Sequence, residues 1–309
     1  MLTVKDCINN LNKSDWYAKE INKTGIMESF KTVKKFETLF YNAHSQYSKN
    51  SLTPVTEELC GKITFLKLQT KDNIYLDAWD INPNCSNKYV IICQGISSEK
   101  SNILLQKAYV DFYNNGWGVL VFDYRGRGKS SGAFSRCGAQ MDIESAYEYL
   151  KQKGIHTDHI GIIGHSMGTG VAADFAEINN IAFLILLNPF SLAADMAKNI
   201  AQKVKMPFVI KQVLTKLPCS MFPLKNKFDN IKALSNINKP VLILHNKKDG
   251  TIPVELARKL YKNTKNANIT YLELDGEDHE INKEKIEECL CFLKHIENYT
   301  SKLIYNSVI

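Results

Sequence analysis

Short apolar runs alternate with longer amphipathic segments from residue 62 onward. Runs of about four to eight apolar residues bounded by turn signals indicate buried strands, and a period near 3.6 residues indicates helices. Strands are predicted at 63–68, 74–79, 89–93, around 119, and at 160–163, 181–187, 241–244 and 269–274. The first two runs indicate a hairpin. The later alternation of strands and helices is typical of a mainly parallel sheet that is covered on both faces.

Helices are predicted between these strands. Two of them lie at 102–115, followed by Gly116, and at about 141–153, followed by Gly154. Glycine ends a helix because it adopts the left-handed backbone conformation at low cost. Another helix is expected near Val254, because the fixed φ of Pro253 suits a first helical turn.

The first 58 residues show helical periodicity without this alternation. Their apolar stripe is Ile26, Phe30, Val33, Phe36 and Phe40, continued by His44. Such a stripe is typical of packing against a core, with a partner site as the alternative. Residues 48–54 are typical of a linker. We therefore predict a helical extension at 1–58, an α/β domain at 59–299 with an insertion at about 188–240, and a tail at 300–309.

The segment Gly164-His165-Ser166-Met167-Gly168 directly follows one of the predicted buried strands. This G-x-S-x-G pattern is typical of a nucleophile elbow, a strained strand-to-helix turn that exposes the serine Oγ above the sheet. The two glycines give the turn room because they have no Cβ. A glycine-rich turn with a solvated serine is the alternative. The elbow requires an acid and then a histidine later in the chain.

Both groups follow in that order. Asp249 lies in a polar loop after the run 241–244, and His279 lies after the alternating strand 269–274. Of the seven histidines, only His279 follows both the serine and the acid on a loop after the last strand. Asp275 and Asp278 remain competitors for the acid because they neighbour His279. Asp249 could also be a turn residue that bonds its own backbone.

These segments, together with the loop Asp-Tyr-Arg-Gly-Arg-Gly-Lys-Ser-Ser-Gly at 123–132, resemble the α/β-hydrolase family in order and spacing. The resemblance spans about residues 62–298. It is closest to the lipase-like, thioesterase-like and serine-aminopeptidase-like branch. It implies a mostly parallel central sheet flanked by helices, with a helical cap insertion over the site.

The resemblance also implies a catalytic triad of Ser166, His279 and Asp249. An oxyanion hole would use two backbone N–H groups, those of Met167 and Ile96. Family members commonly have His-Gly before the second donor, whereas this chain has Gln94 followed by glycine. This departure puts the hydrogen bonds that support the loop in doubt, while the donor itself is retained.

Two further residues of the 123–132 loop, Asp123 and Arg125, are expected to brace neighbouring loops through ion pairs and hydrogen bonds. Neither is expected to be catalytic.

The predicted cap carries the positive charge of the chain. Residues 198–239 hold nine lysines and one aspartate, a net charge of +8, whereas the whole chain carries +7. Apolar residues are interleaved with these lysines. A basic amphipathic cap suits an anionic membrane surface or a phosphate-bearing substrate, and a solvated lysine face is the alternative. The candidate contacts are Lys203, Lys205, Lys211 and Lys216. Nucleic acid is not expected, because no recognised binding module accompanies the charge.

Composition narrows the class of protein. With 309 residues, 44% of them hydrophobic, the chain can form one large α/β domain. Its eight cysteines include no C-x-x-C pair, and Cys93 is expected to be a small core residue. This cysteine usage favours a reducing, cytoplasmic compartment. Neither a bilayer-spanning run nor a signal-peptide core is recognisable in the sequence.

The sequence thus predicts a serine hydrolase that needs neither metal nor cofactor and cleaves a carboxylic ester or thioester, with an acyl chain as the favoured substrate. A serine-aminopeptidase-like peptidase and an acyltransferase would use the same residues and remain alternatives. An alternative of another class is a non-catalytic hydrolase-fold protein that binds a membrane or a partner.

Overall fold

The computed structural model describes residues 54–203 and 228–307, apart from Asn84, Ser97 and Ala267. The apolar stripe predicted for the N-terminal extension and most of the predicted linker lie outside the described residues. So do residues 204–227 of the predicted cap. The division of the chain into extension, α/β domain and tail therefore stays a prediction.

An eight-stranded sheet forms the centre of the described structure. Its strands are β1 (Ile63–Gln69), β2 (Tyr75–Ile81), β3 (Tyr89–Cys93), β4 (Gly118–Phe122), β5 (Ile160–His165), β6 (Leu184–Leu187), β7 (Val241–Asn246) and β8 (Ile269–Leu274). They are ordered β1-β2-β4-β3-β5-β6-β7-β8. The β1–β2 and β2–β4 pairs are antiparallel, and the remaining pairs are parallel. The predicted hairpin and mainly parallel sheet are confirmed.

Seven α-helices lie in the described ranges, six of them between strands and one after β8. They are α1 (Ile103–Asn114), α2 (Arg136–Gln152), α3 (Gly168–Ile178), α4 (Ala193–Lys203), α5 (Asn230–Asn236), α6 (Val254–Asn263) and α7 (Lys283–Ser307). Helix α2 begins before the predicted residue 141 because the Ser135 side chain caps it, accepting from the Gly138 N–H at 3.0 Å. Helix α7 continues past residue 299, where the predicted domain ends, since residues 300–307 contain no glycine or proline to stop it.

Side chains cover both faces of the sheet. One face packs against α2, α3, α5 and α6, and the other packs against α1 and α7. In β5, Ile162 belongs to the first cluster and its neighbour Ile163 to the second. A strand buried on both faces has no polar face, which explains the continuous apolar run in its sequence.

The register of the parallel strands brings their carboxyl ends to one edge of the sheet. Cys93 pairs with Gly164, and Asn246 pairs with Leu274. The loops that follow β3, β5, β7 and β8 therefore meet at this edge, where open α/β sheets bind their ligands.

The core position predicted for Cys93 is confirmed. Cys93 is buried in the core, and Cys289 is buried whereas Cys291 is exposed, so these two lie on different sides of α7. Within the described part of the chain, none of the helices combines the length and the apolar character that a membrane crossing requires.

Candidate active site

Ser166 lies at the turn between β5 and α3. Its φ of +54° falls in the left-handed region, which a serine rarely adopts. The turn is held by the Ser166 N–H, which donates to Leu187 O at 3.0 Å, and by Ser166 O, which accepts from Thr169 Oγ1 at 2.6 Å. Because α3 begins at Gly168, the positive end of the helix dipole lies beside the serine.

The two glycines of the elbow allow a close approach between strand and helix. A Cβ on Gly168 would lie 2.0 Å from the carbonyl oxygen of Cys93. A Cβ on Gly164 would lie 2.7 Å from the carbonyl oxygen of Gly168. Both positions therefore require glycine for steric reasons, as the elbow motif predicts.

Ser166, His279 and Asp249 form a continuous hydrogen-bonded chain. His279 Nδ1 lies 2.7 Å from Asp249 Oδ2, and His279 Nε2 lies 2.9 Å from Ser166 Oγ. A carboxylate can only accept, so the proton lies on Nδ1 and Nε2 presents its lone pair to the serine hydroxyl. This is the tautomer that a general base for serine requires.

Asp249 is held as an ionised carboxylate. Its side chain is fully buried, and Oδ1 accepts from the backbone N–H groups of Thr251 at 2.7 Å and Ile252 at 3.0 Å. Oδ2 accepts from Asn188 Nδ2 as well as from His279. Burial raises the pKa of this carboxyl, but the bonds from His279 and the backbone outweigh it and bring the pKa to about 2.

The two competing carboxylates bind elsewhere. Asp275 Oδ1 pairs with Lys247 Nζ at 2.7 Å, and Asp278 Oδ2 accepts from Asn282 Nδ2 at 3.3 Å. Both ring nitrogens of His279 are already occupied by Ser166 and Asp249. The structure thus brings Asp249, and neither competitor, to the imidazole.

The loop after β3 passes directly beside the serine. A Cβ on Gly95 would lie 3.3 Å from Ser166 Cβ. Among the described residues, the N–H groups of Ile96 and Met167 donate to no backbone carbonyl. Gln94 Nε2 donates to Phe122 O at 3.1 Å and to Asp123 Oδ1 at 3.2 Å. The glutamine therefore anchors the loop to the end of β4.

Asp123 and Arg125 brace this region as predicted. Asp123 Oδ2 accepts from the buried Lys100 Nζ at 2.6 Å, and Oδ1 accepts from Lys100 N at 2.8 Å. Arg125 Nε donates to Asp142 Oδ1 at 2.8 Å, and Nη1 donates to Asp72 Oδ2 at 2.7 Å. Both side chains thus act on neighbouring loops and not on Ser166.

Sequence analysis missed three residues that contact this hydrogen-bonded chain. Asn188 binds Asp249, His165 Nε2 donates to His279 O at 2.8 Å, and Lys285 Nζ donates to the same carbonyl at 3.3 Å. Burial and the nearby His279 lower the pKa of His165 well below its ordinary value, so this imidazole is neutral. Lys285 has no recognisable signal in sequence, because a lysine at a charged helix start is typically exposed.

The predicted cap contacts are described only in part. Lys203 ends α4, whereas Lys205, Lys211 and Lys216 lie outside the described residues. Two other lysines of the basic segment bind the body of the domain. Lys232 Nζ lies 3.2 Å from Glu177 Oε1, and Lys239 Nζ lies 3.1 Å from Asp158 Oδ1. Part of the +8 charge is therefore balanced by neighbouring acids.

Comparisons with known sequences agree with this fold. Residues 84–224 match the family model described as serine aminopeptidase, S33, and residues 206–302 match one described as TAP-like protein. The chain is 28% identical over 215 residues to Uncharacterized protein YqkD of Bacillus subtilis, covering 65% of this chain and 68% of that protein. It is 34% identical over 158 residues to the lysophosphatidylserine lipase ABHD12 of Danio rerio, covering 47% of this chain and 39% of that protein.

Solved structures show the same fold. The Pyrococcus furiosus esterase Pf2001 matches with a TM-score of 0.63 at 22% identity, covering 79% of this chain and 97% of that chain. An α-β hydrolase from Vibrio vulnificus matches with a TM-score of 0.66 at 20% identity, covering 84% and 93%. The sheet order, the elbow and these matches together show that the chain has the α/β-hydrolase fold.

Proposed function

We propose that this protein is a serine hydrolase that cleaves a carboxylic ester or thioester of an acyl chain. The observation that carries the proposal is the hydrogen-bonded chain from Asp249 through His279 to Ser166, with separations of 2.7 and 2.9 Å. The strained backbone at Ser166 also supports it, because strain of this kind clusters at functional sites.

In the proposed acylation step, Ser166 Oγ attacks the acyl carbonyl carbon while its proton passes to His279 Nε2. The Asp249 carboxylate stabilises the resulting imidazolium. The negative oxygen of the tetrahedral intermediate accepts from the N–H groups of Met167 and Ile96. The bond to the leaving oxygen or sulfur then breaks, and His279 returns the proton to that atom.

Deacylation repeats these steps with water. The water oxygen attacks the acyl-enzyme carbonyl, and one water proton passes to His279 Nε2. The bond to Ser166 Oγ breaks, the proton returns to the serine, and the carboxylic acid leaves. The chain's own side chains and backbone supply every proton transfer and every oxyanion contact in this cycle.

A fluorophosphonate probe tests the nucleophile. We expect the wild-type protein to be labelled at Ser166, with the site located by mass spectrometry. Ser166→Ala should abolish labelling and lower hydrolysis by several powers of ten. Ser145→Ala is the matched control, because the Ser145 Oγ donates to a carbonyl within α2. An adduct on Ser97 or Ser130, or the absence of both labelling and hydrolysis, would contradict the proposal, and the latter would favour the non-catalytic alternative.

Peptide cleavage is the second candidate, favoured by the serine aminopeptidase model that matches residues 84–224. The same triad would then attack an amide carbonyl. A panel of a short-chain ester, an acyl thioester and an aminoacyl amide separates the two activities. Adding an alcohol acceptor tests acyl transfer, since a transferase forms a new ester where a hydrolase forms the acid.

The basic segment 198–239 supports a proposal about the acyl substrate or its surroundings. An excess of lysines in this segment favours an anionic surface or a phosphate-bearing acyl compound. The Danio rerio relative is named a lysophosphatidylserine lipase, so lysophosphatidylserine belongs in the ester panel. Preference for it over the uncharged monoacylglycerol with the same acyl chain would support recognition of the phosphate.

A further inference from the structure

Lys285 is a fully buried lysine in the first turn of α7. Its ammonium donates to the carbonyls of Asp278 at 2.9 Å, His279 at 3.3 Å and Glu280 at 2.7 Å. An ammonium has three N–H bonds, so this lysine has a donor for each of three successive carbonyls. Burying a cation costs free energy, and here the hydrogen bonds that offset this cost go to the backbone carbonyls of a single loop.

The His279 carbonyl also has a second donor. His165 Nε2–H reaches it at 2.8 Å, and the centroids of the two imidazole rings lie 5.0 Å apart. The His279 backbone is therefore held from the elbow on one side and from α7 on the other. Its ring is held separately through Asp249.

We propose that Lys285 and His165 are positioning residues that hold the His279 loop by its backbone and so keep Nε2 within reach of Ser166 Oγ. This inference rests on the proposed hydrolase function. Residues 275–282, between β8 and α7, form no regular helix or strand. Backbone carbonyls in such a loop need donors from elsewhere. Lys285 and His165 supply these donors at the His279 backbone, where a displacement of the loop would move the catalytic imidazole.

Titratable groups face the Lys285 ammonium from each neighbouring element. They are Asp278, His279 and Glu280 on the loop, Asp249 and His245 at the end of β7, His165 at the elbow and Cys289 on α7. Burial outweighs the acidic groups and lowers the pKa of Lys285 to about 8. Above this pH the amine keeps two N–H bonds and turns a lone pair towards the carbonyls. We therefore expect kcat to fall as the pH rises above about 8.

Lys285→Met tests the proposal, with Lys283→Met as the matched control. The Lys283 side chain lies two residues away on the same helix and is 86% exposed. Lys285→Met should lower kcat roughly 10- to 100-fold with KM within about threefold, because small misplacements of a catalytic group have effects of this size. The alkaline decline near pH 8 should vanish, since methionine does not titrate. Lys283→Met should change neither property.

Two further measurements keep the test decisive. Lys285→Arg stays charged at every pH, so the alkaline decline should move upward even if Lys285→Met fails to fold. Hydrogen exchange over residues 275–282 should be faster in Lys285→Met than in Lys283→Met. Wild-type kcat in Lys285→Met, an unmoved decline in Lys285→Arg, or unchanged exchange would each overturn the proposal. If the wild-type protein neither hydrolyses esters nor is labelled at Ser166, the proposed hydrolase function is refuted instead. Hydrogen exchange over residues 275–282 then still tests whether Lys285 holds the His279 loop.

Discussion

Asp249→Asn is the substitution that separates the proposed triad acid from its competitors. The asparagine side chain keeps the volume of the aspartate but loses the negative charge that faces His279 Nδ1 at 2.7 Å. It can also favour the wrong imidazole tautomer by presenting an N–H to Nδ1. We expect kcat to fall by about 10³- to 10⁴-fold, as expected for a triad that loses its carboxylate.

The same substitution has a stability signature whose size follows from the pKa. The Asp249 pKa is lowered from 3.8 to about 2, which corresponds to about 2 kcal/mol of stabilisation by the ionised form. A lowered pKa means that the unfolded chain binds the proton more tightly. The contribution is therefore fully present above the unfolded pKa of 3.8 and is lost as the pH falls through 2. Between pH 7 and pH 3, about 1 kcal/mol should disappear.

Urea unfolding of the wild type and Asp249→Asn between pH 7 and pH 3 measures this signature. The wild type should lose about 1 kcal/mol more than the variant over that range, because asparagine does not titrate. Asp275→Asn and Asp278→Asn are the controls, since both carboxylates are exposed and bind other partners. A crippling loss of kcat in Asp278→Asn, or parallel pH curves for wild type and Asp249→Asn, would refute the reasoning.

Three further predictions concern the elbow, the oxyanion loop and the cap. Gly168→Ala should destabilise the protein by about 3 kcal/mol in urea unfolding, because its Cβ would lie 2.0 Å from a backbone oxygen. Gly250→Ala is the control, since a Cβ there meets open space, and it should change stability by under about 1 kcal/mol. Equal effects of the two substitutions would contradict the elbow packing. Gln94→Leu should lower kcat roughly tenfold, because it releases the loop after β3 from Asp123. Fluorophosphonate labelling of Ser166 should persist. An unchanged kcat would exclude the anchoring role of Gln94. The wild type should bind anionic but not neutral liposomes at low salt. Each lysine contributes about 1 kcal/mol at such a surface, so replacing Lys203, Lys205, Lys211 and Lys216 with glutamine should abolish binding. Equal binding by wild type and variant would support the interpretation as a solvated lysine face.

Local sequence was sufficient for the strands and for the elbow. Strands such as β5 are buried on both faces, so their apolar runs could be recognised without knowledge of their partners. The glycines around Ser166 could be recognised for a similar reason, because a tight strand-to-helix turn excludes Cβ atoms within five residues of chain. The order of serine, acid and histidine then indicated three candidate positions, each directly after a strand.

The tertiary structure decided which side chains meet. Because β7 and β8 are parallel and Asn246 pairs with Leu274, the loops that carry Asp249 and His279 lie next to each other. Asp249 therefore reaches the imidazole of His279, although Asp275 and Asp278 are nearer to it in sequence. The contact of His165 with the His279 carbonyl spans 114 residues, and Lys285 is buried where its ammonium binds the same carbonyl. Hydrophobic periodicity indicates which face of a strand or helix is buried, and motifs indicate the local turn of the chain. Hydrogen bonds between distant loops depend on strand order and register, which no single segment of the sequence determines.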